Sequence, residues 1–288
     1  MIAGLDVRDG SVVAVRIDDE GRVIGRAAHD ATAAGSADAV RAVGGTPTRL
    51  GAAVRDPAEP GIADLVAAAA GAARVTAAPR VVTKGAAFAL AEQWLGAARG
   101  ARYVVALTAS DCVQAGIVID GRVFQGAHGL AGAAGWLALN PVEREDYRKL
   151  GCLEAEVGAG GIVRRLVWRI KAGDDSRVLE MVGGHLSAIT VSHIFDAARQ
   201  GDGIATAVVR DTARYIGMAI GNLVAMVDPD VVVLGGLIAE AGDLLIEPSR
   251  AEAARRVPGA VAGTLQIAAG VLGDDGLAIG AARAAMLD

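Results

Sequence analysis

Twice along its 288 residues the sequence passes through short alternating strands closed by tight turns and then gives way to helices, which restricts the chain to a duplicated α/β architecture. Ile2–Val7, Ser11–Ile17 and Arg22–Ala28 are predicted strands, joined through Asp9-Gly10 and Glu20-Gly21 into an antiparallel meander. Tyr103–Thr108, Gly116–Ile119 and Arg122–Gln125 form a second meander, with Asp120-Gly121 as its hairpin turn. Between the two, apolar periodicity predicts helices over Ser36–Val43, Ile62–Ala73 and Ala86–Gly96, with strands at Arg49–Val54 and at Val81-Val82. Beyond the second, helices are predicted over Ile162–Lys171, His185–Arg199, Ile204–Val227 and Gly276–Met286. Asp228-Pro229-Asp230 stops the longest of these, and Val231–Leu234 reads as a buried strand entering Gly235-Gly236. No linker rich in proline or serine separates the halves.

Composition narrows the function classes. Hydrophobic residues are 53% of the chain but aromatics only 3%, so the core must be built from small side chains. The 28 basic residues form no block and are outnumbered by 33 acidic ones, giving a net charge of −5 and arguing against nucleic acid as a partner. Cys112 and Cys152 are the only cysteines, far apart and without a CxxC, so neither a disulfide framework nor a four-ligand zinc site is expected. Met1–Asp6 lacks the pattern of a signal peptide. The longest uncharged run, Val123–Val142, is broken by glycines, His128, Asn140 and Pro141 and is unsuited to a membrane span. A cytoplasmic protein is the expectation.

Several segments together resemble the ROK family, which groups bacterial sugar kinases with sugar-responsive repressors. The closest stretch is Ala87–Gly132, and Gly151-Cys152-Leu153-Glu154-Ala155 and Val232-Val233-Leu234-Gly235-Gly236 follow in the right order. The tail from Leu272-Gly273-Asp274 to Ala281-Ala282 fits as well. The resemblance implies a two-lobed, actin-like ATPase (ribonuclease H-like) fold with a central cleft. One lobe would comprise residues 1–103 with 272–288 and the other residues 104–271.

The motifs that carry the family's chemistry are where this sequence departs. Its first phosphate turn, Asp-Ile-Gly-Gly-Thr-Lys, corresponds here to Asp6-Val7-Arg8-Asp9-Gly10-Ser11, so side chains replace bare backbone. The second, Gly-Thr-Gly-Ile-Gly-Gly-Gly, corresponds to Ser110-Asp111-Cys112-Val113-Gln114-Ala115-Gly116, where only Gly116 remains. The family's catalytic aspartate, which takes the proton of the sugar hydroxyl, aligns with Lys84. Of the sugar-binding acids only Glu154 is kept. The zinc-ligand positions hold Trp136, Glu145, Tyr147 and Cys152, and Trp136 and Tyr147 are expected to pack together in place of a metal.

Asp6, Lys84, Asp111 and Glu154 are therefore the candidate cleft residues, with Gly116, Gly235 and Gly236 as remnants of the nucleotide-side loops. Lys84 is either an amine available for imine or base chemistry or the partner of Asp6 or Asp111. Asp6 is either a relic of a magnesium site or a local pairing group. Glu154 is either a contact to a small polyol or a helix-start acid. Gly235-Gly236 either form an adenosine-side loop or serve a strand-to-helix turn. Cys112 and Cys152 are expected as buried small hydrophobes. The leading functional expectation is a degenerate sugar kinase, a pseudokinase with no cofactor, needing ATP and magnesium only if kinase activity remains, and no zinc. Its partner would be a small metabolite or a protein, and the resemblance implies a homodimer. An enzyme with redirected, ATP-independent chemistry and an active glucokinase-like enzyme are the alternatives. A repressor is disfavoured, because the first strand begins at Ile2 and leaves no room for a helix-turn-helix.

Overall fold

A computed structural model describes residues 1–109 and 112–287. The described residues form two five-stranded sheets with helices. The first half opens with β1 (Ile2–Arg8), β2 (Ser11–Ile17) and β3 (Val23–Asp30), followed by α1 (Ala33–Ala42), β4 (Arg49–Val54), α2 (Ile62–Ala73), β5 (Arg80–Thr83) and α3 (Lys84–Trp94). Next come β6 (Tyr103–Ala109), β7 (Val113–Ile119) and β8 (Arg122–Val123). The helical stretch contains α4 (Glu145–Leu150), α5 (Cys152–Val157), α6 (Ala159–Lys171), α7 (Arg177–Met181), α8 (Val191–Arg199) and α9 (Gly203–Val227). The chain continues through β9 (Val231–Gly236), α10 (Leu237–Glu240), α11 (Gly242–Ala254), α12 (Gly259–Ala262), β10 (Gln266–Ala269) and α13 (Gly276–Met286).

Two compact units are distinguished. The first comprises Met1–Ala106, Ala115–Gly132 and Gly270–Asp288, and the second Leu107–Gln114 and Ala133–Ala269. In the first sheet the order is β3-β2-β1-β4-β5, with β1, β4 and β5 parallel. The second sheet runs β10-β9-β6-β7-β8, and β6 and β7 pass through both units.

Side chains alternate across a strand, so β1 serves two cores. Ala3, Leu5 and Val7 join Val12, Val40, Leu50 and Val66 beneath α1 and α2. Ile2 points the other way, into a cluster with Val15, Ile17, Ala91, Ile279 and Ala282 from the α3 and α13 side. Few large side chains are available there, so close approach does the packing. Gly4 and Gly51 lie opposite each other in the β1–β4 register, and α13 rests on them. A Cβ on Gly51 would stand 1.8 Å from the Ala281 carbonyl oxygen, a backbone atom that cannot rotate away.

Both predicted meanders are present, and the helices of the first half fall where periodicity placed them. Two boundaries differ in ways that matter. The helix α3 begins at Lys84 rather than Ala86, because the Thr83 hydroxyl accepts from the Ala86 amide and caps it. The single helix predicted over His185–Arg199 is a 3-10 turn at Leu186–Ala188 followed by α8, whose capping box pairs Thr190 with His193. His185 and His193 therefore do not share a helix. Replacing Gly51 by alanine should lower stability by about 1–3 kcal/mol, the cost of overpacking, read as a shift of the denaturant midpoint with an unchanged slope.

Candidate functional site

The polar centre of the first unit follows from strand register. Asp6 lies on the same face of β1 as Ile2 and Gly4, the face covered by α3 and α13, and it is fully buried. It stands opposite Ala53 of β4, and Ala53 and Val54 stand opposite Val82 and Thr83 of β5. The residue after β5 thus emerges at the carboxyl end of the same three parallel strands, where α/β sheets place their ligands. That residue is Lys84, 2% exposed, with its Nζ 3.9 Å from Asp6 Oδ1.

A second cation reaches the same carboxylate. Arg8, two residues along β1 and on the same face, donates from Nε to Asp6 Oδ2 at 2.5 Å and from Nη2 to the Asp274 carbonyl at 2.8 Å. The segment that the resemblance aligns with the family's first phosphate turn thus carries a guanidinium bound to Asp6. Asp9 is exposed in the β1–β2 turn and takes no part in this cluster. Asp111 lies outside the described residues.

Gly116, which the resemblance aligns with the last glycine of the second phosphate motif, sits inside β7. A Cβ there would come 2.0 Å from the carbonyl oxygen of Gly85, so its bare Cα lets β7 lie against the start of α3, beside Lys84. The role of Gly116 here is close packing.

In the second unit Glu154 occupies the first turn of α5, and its Oε2 accepts from the Val113 amide at 3.1 Å. It lines a cavity of about 260 Å³ with Cys112, Leu150, Arg164 and Gly158–Gly161. Gly235 and Gly236 end β9, and Gly236 has φ +60°, a left-handed conformation that favours glycine at this strand-to-helix turn. Cys112 and Cys152 are both buried and not joined in a disulfide.

The zinc positions of the family hold a different arrangement. Tyr147 is buried with Cys152, Ala155 and Leu139. Trp136 does not pack on it as expected, being 60% exposed. What covers the Tyr147 ring is the Arg144 guanidinium, 4.6 Å from its centroid. The Tyr147 hydroxyl donates to Glu156 Oε1 at 2.5 Å, and Arg144 Nη2 donates to the same oxygen at 2.7 Å. Burial and the Glu156 carboxylate push the Tyr147 hydroxyl well above the usual tyrosine value, keeping it a donor. Glu145 is exposed and paired with Lys149. An exposed indole, an engaged phenol, a surface carboxylate and one thiol do not fit a zinc ion. Among the described residues no group of three or more histidine, cysteine or acidic side chains is placed to hold a metal.

Sequence reasoning missed Arg8 and Glu156. For Arg8 the signal was available, because residues i and i+2 of a strand share a face and opposite charges there will meet. For Glu156, the flanking Ala155 and Val157 hinted at a buried side of α5, but its partner Arg165 lies on another helix, α6.

Lys84→Met should destabilise the protein by about 3–5 kcal/mol, the usual cost of stranding one member of a buried pair. Asp6→Asn combined with Lys84→Met should recover part of that loss, giving a coupling above about 1 kcal/mol in a double-mutant cycle followed by chemical denaturation.

Residues 70–286 match the ROK family. The chain is 32% identical over 197 residues to a glucokinase of Thermotoga maritima, covering 68% of this chain and 62% of that relative. It is 34% identical over 162 residues to a glucokinase of Halalkalibacterium halodurans, covering 56% of this chain and 49% of the other. The chain thus spans roughly half to three fifths of the length of the glucokinases it matches. It is also 31% identical over 159 residues to the N-acetylglucosamine repressor of Escherichia coli O157:H7, covering 55% of this chain and 38% of that protein. Among solved structures it is similar to a ROK family glucokinase from Streptomyces griseus in complex with glucose and AMPPNP. The TM-score is 0.82 at 25% identity, over 100% of this chain and 99% of that one. On this profile match and these relatives, with a mixed α/β fold of two five-stranded sheets, the chain belongs to the ROK family and has its actin-like fold.

Proposed function

We propose that this ROK protein does not phosphorylate sugars with ATP and instead binds a small metabolite or acts through a protein partner. The observation that carries the reading is the buried Asp6 carboxylate held by Arg8 and Lys84. A sugar kinase needs an acid where Lys84 stands, to take the hydroxyl proton, and bare amides where Arg8 stands, to admit phosphate. Here the polarity is inverted at both positions. Loss of a general base alone lowers a rate by about 10²–10⁴.

The redirected-enzyme reading needs an accessible, nucleophilic Lys84. Its burial and its proximity to Asp6 weigh against that reading. The ligand class to test is suggested by the relatives, which are called glucokinases or an N-acetylglucosamine repressor. The Glu154-lined cavity supplies one carboxylate and the Arg164 side chain toward such a polyol. We further propose, from resemblance to the family, a cytoplasmic homodimer without bound zinc. No described helix is long and apolar enough to cross a membrane.

Two measurements decide the reading. Incubation with magnesium, ATP and glucose, N-acetylglucosamine or N-acetylmannosamine should yield no sugar phosphate above background, whereas turnover at an ordinary kinase rate of about 1 s⁻¹ or more would refute the proposal. Chelation with EDTA should leave the melting temperature unchanged, and stoichiometric zinc by elemental analysis would refute the metal-free assignment.

A further inference from the structure

The second unit contains another concavity, of about 380 Å³, lined by Leu139, Arg144, Glu156, Arg165 and one face of α9. That face presents Asp211, Arg214, Tyr215 and Met218 at spacings of three, four and seven residues, so all four look into the same space. Four segments of chain converge on it: the loop ahead of α4, then α5, α6 and α9. Neither the Asp6–Lys84 pair nor Glu154 lines this cavity.

Its charge is not balanced. Glu156 lies buried in the wall and is met by two guanidinium groups, Arg144 at 2.7 Å and Arg165 at 3.6 Å, and by the Tyr147 hydroxyl. Asp211 also lines the cavity and acts on Arg165, so with Arg214 counted three guanidinium ions stand against two carboxylates and one positive charge is left over. Arg165 is held from behind, its Nη2 donating to the Glu156 carbonyl and to Thr212 Oγ1, while its enclosed Nε and Nη1 have no hydrogen-bond partner. Burial pulls this guanidinium below its usual value, but an arginine remains charged at neutral pH. Arg214 adds a third guanidinium at the exposed side and makes no hydrogen bond or ion pair with the described residues. A guanidinium cluster under-compensated in a low-dielectric wall attracts anions more strongly than the same charges would in water. Leu139 and Met218 offer an apolar wall for a carbon skeleton. Asp211 and Tyr215 offer an acceptor and a hydroxyl for the polar groups of a ligand.

We infer that this cavity is a binding site for a small hydroxylated organic anion, its carboxylate or phosphate held between Arg144 and Arg214 and its hydroxyls turned toward Asp211. The volume suits a molecule the size of a monosaccharide derivative. This site is independent of whether the chain transfers phosphate.

Isothermal titration of the full chain without ATP tests it, using glucose 6-phosphate, gluconate and inorganic phosphate, with glucose as the neutral control. At least one organic anion should bind more tightly than glucose. Gluconate against glucose 6-phosphate then distinguishes the carboxylate from the phosphate. Arg214→Glu, at an exposed position on α9, should weaken that binding at least about tenfold by putting a like charge against the ligand, while Asp9→Ala, in the exposed β1–β2 turn of the first unit, leaves it unchanged. Binding of no organic anion above the glucose control overturns the proposal, as does binding of inorganic phosphate alone or binding that Arg214→Glu does not weaken. Binding that survives Arg214→Glu unchanged would place the ligand away from this cavity. That result would end this inference without touching the kinase reading.

Discussion

A carboxylate with no exposed surface constrains the first unit more than any apolar contact. Removing an ionised acid from water costs several kcal/mol unless charge and hydrogen bonds are returned to it. Asp6 is carried into the interior by its place in β1, and the compensation comes from Arg8 on the same strand and Lys84 at the head of α3. Their placement depends in turn on the parallel register of β1, β4 and β5 and on the bare Cα of Gly116, which lets β7 lie against the start of α3. The site and the packing are thus one arrangement.

The second unit handles a similar difficulty with different groups. Where the family places zinc, Glu156 gathers Tyr147, Arg144 and Arg165, and so ties α4, α5 and α6 together, with Arg165 reaching on to Thr212 of α9. Such a cluster is directional, as metal ligation is, but it rests on charge-assisted hydrogen bonds. It also leaves guanidinium charge beside an open cavity, which a closed tetrahedral metal site would not.

How much of this could be read from the chain varies with the range of the interaction. The Asp-Gly and Glu-Gly turns and the alternation of Ser11–Ile17 are local signals, and the meanders they predict are present. The capping by Thr83 and Thr190 is equally local, and attention to it would have placed the starts of α3 and α8 correctly. Asp6 is one of the two partners that the resemblance allows Lys84, Asp111 being the other, and the structure pairs Lys84 with Asp6. The burial of Tyr147 without Trp136 was not legible, since the partner that covers its ring is an arginine and not another aromatic.

By itself the sequence determined the order of elements and the small-residue character of the core, because turn chemistry, periodicity and residue identity are properties of neighbouring residues. Only the tertiary structure decided that Arg8 would neutralise Asp6 alongside Lys84, that Gly116 serves packing inside a strand, and that two arginines from separate elements would meet one buried glutamate while a third lines the same cavity. Those outcomes depend on register and on helix-to-helix placement, which bring together residues as far apart as 144 and 214. A pattern along the chain carries no record of such distances, because they are set by the packing of the whole unit.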